Sequence, residues 1–487
     1  MKSVCSSLVT LAALTLSGCM VGPKYTRPSA PVTPTYKAPL PDALKEMKDW
    51  HTAHPDEPAF PAKWWEVFGD SQLSSLEERV AIANQDLKAA EAHFREARAM
   101  IRFDRASKYP TISVAPGIAS LRDSDKRPYF NSNSANGNTG DFLLPFDLSY
   151  ELDLWGRIRR TVSAAREEAQ ATAADLAAAR LSLEAELAFD YFELRSADAQ
   201  RQLLEDTVAA YTDALQLTVN RFEGGAAPKS DVAQARTQLD ATRVQATDLG
   251  VQRAEFEHAI AVLIGQPPAS FSLPIVAVKL EPPNIPVGVP SQLLERRPDI
   301  AAAERRMAES NEQIGIARAA FFPTVVLGAS AGLEGTSILN WFNWPSRLWA
   351  VGATLAQPLF DAGRRHASSD AALARYDSQV AGYRQTVLGA FQQVEDNLVA
   401  LRILETEAKQ QHETVVSAQE SLEIFTNRYK GGVDNYLQVI TAQTIALMNE
   451  RNEVDIQRRR IDASVLLIKA LGGGWTTSNL PAVSALH

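Results

Sequence analysis

Along two stretches of the chain, apolar residues recur every three or four positions for much longer than a globular helix requires. From Gly156 to Phe222 they fall at Leu176, Leu183, Leu187, Tyr191, Leu194, Leu204, Val208, Tyr211, Leu215, Val219 and Phe222. From Gly363 to Tyr429 they fall at Val380, Tyr383, Val387, Phe391, Val394, Leu398, Leu401, Leu422 and Phe425. Polar residues occupy the positions between, so each stretch predicts an amphipathic helix with a coiled-coil-like seam. Proline is absent from both: of 26 prolines, none lies between Pro145 and Pro228 or between Pro358 and Pro481. Each stretch covers 67 residues, which at about 1.5 Å of rise per residue predicts a rod of roughly 100 Å. Globular helices average about 11 residues, so the length itself needs a reason. Reach across a compartment is the natural one.

Each rod ends in paired glycines, Arg221-Phe222-Glu223-Gly224-Gly225 and Arg428-Tyr429-Lys430-Gly431-Gly432. Glycine takes the positive φ values that stop a helix and reverse the chain. Return helices are expected from near Asp231 to Gly265 and from near Asp434 to Gly472, giving two coiled-coil hairpins. The tips lie 207 positions apart, as do Gly156-Arg157 and Gly363-Arg364, and Val232 and Val439. Upstream the offset is 213, matching Asp86 with Asp299, Ile101 with Ile314 and Pro110-Thr111 with Pro323-Thr324. The chain is therefore a tandem duplication, and the first copy carries six extra residues between Thr111 and Leu152.

In that interval the period changes from helical to twofold. Phe142, Leu144, Phe146, Leu148, Tyr150 and Leu152 alternate with Leu143, Pro145, Asp147, Ser149, Glu151 and Asp153, as in a strand with one apolar face. Its partner runs from Thr111 to Leu121, around a polar loop at 122–141. The second copy offers Thr324 to Leu333 and Leu348 to Leu359, around a loop with Trp341, Trp344 and Trp349. Strands of about ten residues with one greasy face suit an outer-membrane barrel, and aromatics near their ends suit its interfacial girdle. The same aromatics also fit a hairpin core. Four strands cannot close a barrel, and an open edge in lipid leaves amides unpaired at several kcal/mol each. A homo-oligomer sharing one barrel follows; dimer, trimer and larger rings all remain open at this point.

The N-terminus sets the compartment. Lys2 and the apolar run Val4 to Leu16 form a secretory signal too short to span a bilayer. The run ends Leu16-Ser17-Gly18-Cys19, which resembles the bacterial lipobox, whose cysteine is lipidated. An ordinary signal peptide that happens to contain Cys19 is the alternative. Met20 follows, not the Asp that usually retains such lipoproteins at the inner membrane, so the outer membrane is expected. Several acyl chains on Cys19, palmitate among them, would be needed for a stable anchor. The expected division is 1–18 signal, 19–61 tether, 62–265 first repeat, 266–297 inter-repeat equatorial segment, 298–471 second repeat and 472–487 tail. A net charge of -9 argues against nucleic acid, whose phosphates need surplus Lys and Arg.

Trp64-Trp65-Glu66-Val67-Phe68-Gly69-Asp70, Arg296-Arg297-Pro298-Asp299-Ile300, Gln357-Pro358-Leu359-Phe360-Asp361-Ala362-Gly363-Arg364 and Leu471-Gly472-Gly473-Gly474-Trp475 together resemble the TolC-type outer-membrane efflux channels. With the lipobox, the likeness is to the lipoprotein branch containing OprM and the NodT proteins. The resemblance implies a mainly α fold with a membrane β-barrel part. In it, a trimer shares a twelve-stranded barrel continuous with a helical barrel crossing the periplasm. It also implies a periplasmic adaptor and an inner-membrane pump, proton-driven and of the RND type, that expel small toxic molecules. On the family pattern the gate lies just beyond the tips. Leu437 stands at an apolar constriction, and Thr441 stands where OprM-like members carry Asp, which makes that level neutral here. Asp231 and Asp434 remain as acids near the mouth. Their alternative role is as N-caps of the returning helices, and Leu437 could be ordinary coiled-coil core. Arg221, Gly224, Gly225, Arg428, Gly431 and Gly432 would dock the adaptor's hairpins, or the glycines would merely turn the chain.

No catalytic constellation is legible. The seven histidines are scattered without metal-ligand pairing, and Gly472-Gly473-Gly474 lacks the Lys-Ser/Thr of a phosphate loop. No cofactor is expected beyond the lipid on Cys19, and no enzyme activity. An exit duct for type I protein secretion fits the same pattern. A periplasmic structural coiled-coil lipoprotein fits the rods but not the alternating strands.

Overall fold

The computed structural model describes residues 20–33, 36–37, 61–122, 124, 139–277, 281–283, 285 and 293–486. Cys19 lies outside them. The order is α1 (Ser71–Ala83), α2 (Gln85–Ala106), β1 (Thr111–Val114), β2 (Gly117–Leu121), β3 (Thr139–Leu152), α3 (Arg157–Glu223) and α4 (Lys229–Leu263). After the inter-repeat segment follow α5 (Pro298–Ala319), β4 (Thr324–Gly335), β5 (Arg347–Ala356), α6 (Arg364–Lys430) and α7 (Tyr436–Ala470). The long helices α3 and α6 have 67 residues each, and the return helices α4 and α7 have 35 each. The duplication thus survives in the fold helix by helix. No helix among the described residues is long and apolar enough to cross a membrane.

The membrane signal lies in the sheet. Its antiparallel order is β1 with β2, then β3, β4 and β5. The strand expected from Thr111 to Leu121 is broken at Ala115-Pro116, because proline has no amide to give a ladder. Its two halves keep one register, Val114 opposite Phe146 and Gly117 opposite Leu143. Reading across the sheet, Ile112, Leu148, Ala329 and Val351 form one row, and Val114, Phe146, Ala331 and Trp349 another. Residues opposite one another share a face, so this face is apolar from edge to edge. The rows between them, such as Ser113, Asp147, Ser330 and Ala350, are polar or small. Ile112, Val114, Phe146, Trp349, Val351 and Leu355 are all exposed. An uncovered apolar face of this size suits lipid.

Strand passes into helix through Gly156 (φ +83°) and Gly363 (φ +86°), a left-handed conformation that costs any residue with a Cβ. Below this junction α3 packs against α4, α5 and α7, and α6 packs against α5 and α7. The main core sits midway along the rods. Trp64, Leu73, Leu76 and Val80 meet Leu187, Tyr191 and Leu194 of α3, Ile260 of α4, Val394 and Leu398 of α6, and Ile461, Val465 and Ile468 of α7. It unites both repeats and the inter-repeat Leu273 and Ile285.

That core also holds two acids. Glu77 is fully buried with both carboxylate oxygens unpartnered, and Glu184 accepts a bond from Trp64 Nε1 at 3.1 Å. Burial, then the neighbouring Glu184, raises Glu77 well above the ordinary carboxylate value. Burial lifts Glu184 to about 7 against the pull of Trp64 and Arg180, and Asp190 and Asp462 move the same way to about 7. These acids are neutral in the fold at a pH where the unfolded chain has already released its protons. The stability these acids contribute is therefore full below about pH 4, falls as pH rises, and is lost above about pH 7. The melting temperature of the detergent-solubilised protein should drop between about pH 5 and pH 8, and Glu184→Gln, which keeps an acceptor for Trp64, should flatten that drop. A slope unchanged in the variant would remove Glu184 from the account.

Candidate gate at the hairpin tips

Both tips are built alike. At the first, Gly225 N–H donates to Phe222 O at 2.9 Å and Ala226 N–H to Arg221 O at 2.8 Å. At the second, Gly432 donates to Tyr429 O at 3.0 Å and Val433 to Arg428 O at 2.9 Å. This double bond pattern with a left-handed residue is a Schellman stop. Only the second glycine of each pair is left-handed: Gly225 and Gly432 have φ +74°, whereas Gly224 and Gly431 sit at φ -77° and -75°. The paired-glycine signal was thus twice as wide as the need.

The return helices begin near Asp231 and Asp434, at Lys229 and Tyr436, but neither acid is their cap residue. α4 starts at Lys229 with Pro228 as its cap residue and no side-chain cap, so Asp231 lies inside the first turn. Asp231 is buried, with its amide on Pro228 O at 3.1 Å and Ser230 Oγ 3.5 Å from its carboxylate. Asp434 precedes the cap residue Asn435 of α7 and caps nothing. It receives Arg428 bidentately instead, Nε to Oδ2 at 2.6 Å and Nη2 to Oδ1 at 3.2 Å. The Arg428 guanidinium holds the Asp434 carboxyl below the ordinary carboxylate range.

Arg221 behaves otherwise, although the duplication makes it the counterpart of Arg428. It crosses to the second hairpin, donating from Nη1 to Lys430 O at 3.0 Å with its guanidinium 4.7 Å over the Tyr429 ring. A cation beside the last carbonyls of α6 meets the negative end of that helix. Tyr429 and Tyr436, 5.1 Å apart, are buried with Ala235 and Val439 in a small cluster joining the two tips. Gly432 lies directly beneath: a Cβ there would come within 3.8 Å of Arg221 Nη2. Sequence reading missed this clasp. Its signal was the pair of tyrosines flanking Gly431-Gly432.

Leu437 is 52% exposed, so it is not coiled-coil core in the protomer. One turn on, the Thr441 hydroxyl is spent on Leu437 O at 2.9 Å. Ile445 and Met448 continue the same exposed stripe along α7, away from the buried Tyr436 and Val439. The tips thus bring together Arg221, Arg428, Asp434, Gly431 and Gly432, while Leu437 and Thr441 stand apart on a free face and Asp231 sits on the other hairpin. Among the described residues no group of three or more His, Cys, Asp or Glu is placed to hold a metal.

Residues 77–266 and 289–473 match the family model described as outer membrane efflux protein. The outer membrane protein OprJ of Pseudomonas aeruginosa is 33% identical over 471 residues, covering 96% of this chain and 95% of that one. The toluene efflux pump outer membrane protein TtgF of Pseudomonas putida is 33% identical over 469 residues, covering 95% of each. The solved structure of the outer-membrane channel OprN superposes with a TM-score of 0.83 at 28% identity, over 94% of this chain and all of that one. Paired rods, an apolar-faced sheet and these likenesses lead to one assignment. The chain belongs to the outer membrane efflux protein family and is an efflux channel of the outer membrane, not an enzyme.

Proposed function

We propose that three copies of this chain form one gated tunnel from periplasm to exterior, the exit of a tripartite pump for small toxic compounds. The observation that carries this reading is the open sheet. Its outer strands, β1 with β2 on one side and β5 on the other, each have a neighbour on one side only, while the face they share is apolar and exposed. Lipid tolerates no unpaired strand edge. Three copies of four strand positions close a twelve-stranded cylinder, with Asp147 and Ser330 on its water-filled side.

The helices support the same closure. Within one chain α3 packs on α7; the repeat makes α6 against α4 of the next copy the equivalent seam. Exposed apolar residues that such a seam would cover remain on both helices, Leu388, Ile403 and Val416 on α6 and Val244 and Val251 on α4. At the upper end of the rods, Val21 N–H donates to Trp155 O at 3.1 Å and Met20 lies against Gly156. This position just below the sheet suits a lipid on the preceding Cys19.

Leu437 would form the apolar constriction, with Thr441 one turn above it and Asp231 and Asp434 around the mouth. The tip glycines Gly224, Gly225, Gly431 and Gly432 would be the surface read by a periplasmic adaptor, held in shape by Arg221 and Arg428, with an RND-type pump beyond. Solvents and drugs are the expected cargo, in keeping with the toluene and antibiotic pumps served by relatives.

The native mass of the detergent-extracted protein should correspond to a trimer, and its deletion should sensitise cells to a panel of apolar drugs and solvents. A monomer that carries no ion current in bilayers would overturn the reading. An unchanged panel together with a retained secreted protein would favour a secretion duct. At the tip, Gly432→Val forces a left-handed backbone that disfavours a Cβ by about 1–2 kcal/mol, small beside the trimer seam. Resistance should be abolished in this variant while the trimer persists. If the trimer dissociates, the glycine serves only the fold.

A further inference from the structure

The clasp between the two tips is only half of what the duplication contains. Arg221 lies over Tyr429 and reaches Lys430 O. Moving each partner by the 207-residue repeat gives Arg428 over Phe222, reaching Glu223 O. All the members of this second clasp are present, yet within one chain Arg428 pairs with Asp434 instead of meeting Phe222. Their exposure shows it: Tyr429 is 3% exposed beneath Arg221, whereas its counterpart Phe222 is 41% exposed and the Arg428 side chain 51%.

We propose that Arg428 of one protomer covers Phe222 and caps the Glu223 carbonyl of the next, so that six clasps, three within chains and three between them, ring the periplasmic mouth. The inference rests on the trimer reading above and adds to it the residues that join neighbouring tips.

The two clasps differ in one respect. Asp434 has Ala227 as its counterpart in the first repeat, so only the second tip carries an acid beside its arginine. Asp434 takes Nε and Nη2 of Arg428 and leaves Nη1, the atom by which Arg221 reaches its carbonyl. The guanidinium face is left as well, and it is the face that Arg221 lays on Tyr429. Arg221 needs no such guide, because Tyr429 is fixed beside it in the chain's own core cluster, and the Lys430 carbonyl follows directly in the chain. A contact between separate chains lacks that help, and a bidentate carboxylate supplies the orientation. Asp434 is thus a positioning residue for the contact between protomers. Phe222, on the far side, offers an aromatic face to a cation at the carbonyl end of α3.

Cross-linking in the full-length lipoprotein tests this, since Cys5 and Cys19 are its only cysteines. A Phe222→Cys/Arg428→Cys variant treated in membranes with a short bis-maleimide should give covalent dimers and trimers on a denaturing gel. The control pair, Arg221→Cys/Tyr429→Cys, should link within one chain and leave the monomer band. Monomer alone from the first pair, with the control pair linked and the native mass trimeric, would overturn the inference and leave the trimer standing. A monomeric native mass would overturn both. As a check free of cysteine, Phe222→Tyr, which copies Tyr429, should keep the temperature at which the trimer dissociates in detergent, and Phe222→Ala should lower it. Equal temperatures for all three proteins would count against the clasp.

Discussion

Replacing Leu437 with serine should raise the single-channel conductance of the reconstituted protein several-fold in planar bilayers. The side chain is exposed on α7 and outside the protomer's own core, so little packing is lost inside the chain. Three copies around an axis would place three leucine side chains against one another at the narrowest level. Such a ring closes a pore by excluding water, a hydrophobic constriction that gates by dewetting. Burying a leucine is worth about 1.5–3 kcal/mol, and a serine hydroxyl forfeits that contact while holding water in the gap. Thr441 cannot compensate, because its hydroxyl already donates to the backbone at Leu437. Conductance equal to the parent would remove Leu437 from the gate and move the constriction to another level, with Met448 as the next exposed apolar side chain along the stripe. A rise without any change in trimer mass would keep the effect at the gate.

Arg160→Ala should be the most destabilising single change in the helical part, at about 3–5 kcal/mol, the usual cost of removing one partner from a buried pair. Arg160 is 2% exposed, near the top of α3. It pairs with Glu312 of α5 at 2.8 Å and donates to the carbonyls of Val21 at 2.7 Å and Pro23 at 3.2 Å. One guanidinium therefore ties together the two repeats and the segment that follows Cys19. Gly315 admits it, since a Cβ there would lie 2.2 Å from Arg160 Cδ. With alanine, Glu312 stays behind without its cation, and the residues after Cys19 lose their seat under the sheet. The expected results are a lower melting temperature and faster protease cleavage near residue 21. Arg160→Lys should recover little, because one ammonium cannot span three acceptors spread over a planar fork. A melting temperature within a degree or two of the parent would show that the tie is dispensable.

Much of this architecture could be read before any coordinates, and the reason is local. Rod lengths, the tandem repeat, the apolar face of β3 and the stop at each glycine pair are all expressed through short-range periods of 3.6 and 2, or through the backbone freedom of one residue type. Arg221 and Arg428 look interchangeable in that reading, as do Asp231 and Asp434. Their fates diverge because one arginine finds its partner far away along the chain and the other finds it on its own tip. Arg221 meets a carbonyl 209 residues distant, Arg160 one that is 139 residues distant, and Asp434 turns to the arginine on its own tip. Glu77 and Glu184 look like ordinary polar positions of amphipathic helices in the sequence, and only the packed core takes them out of water.

By itself the amino-acid order determined the elements and their duplication, since hydrophobic periods and repeat offsets require no knowledge of neighbours. Tertiary structure alone decided which arginine clasps which tip, which acids lose their water and where the N-terminal segment is seated. Those outcomes depend on distances between helices that no spacing along the chain encodes.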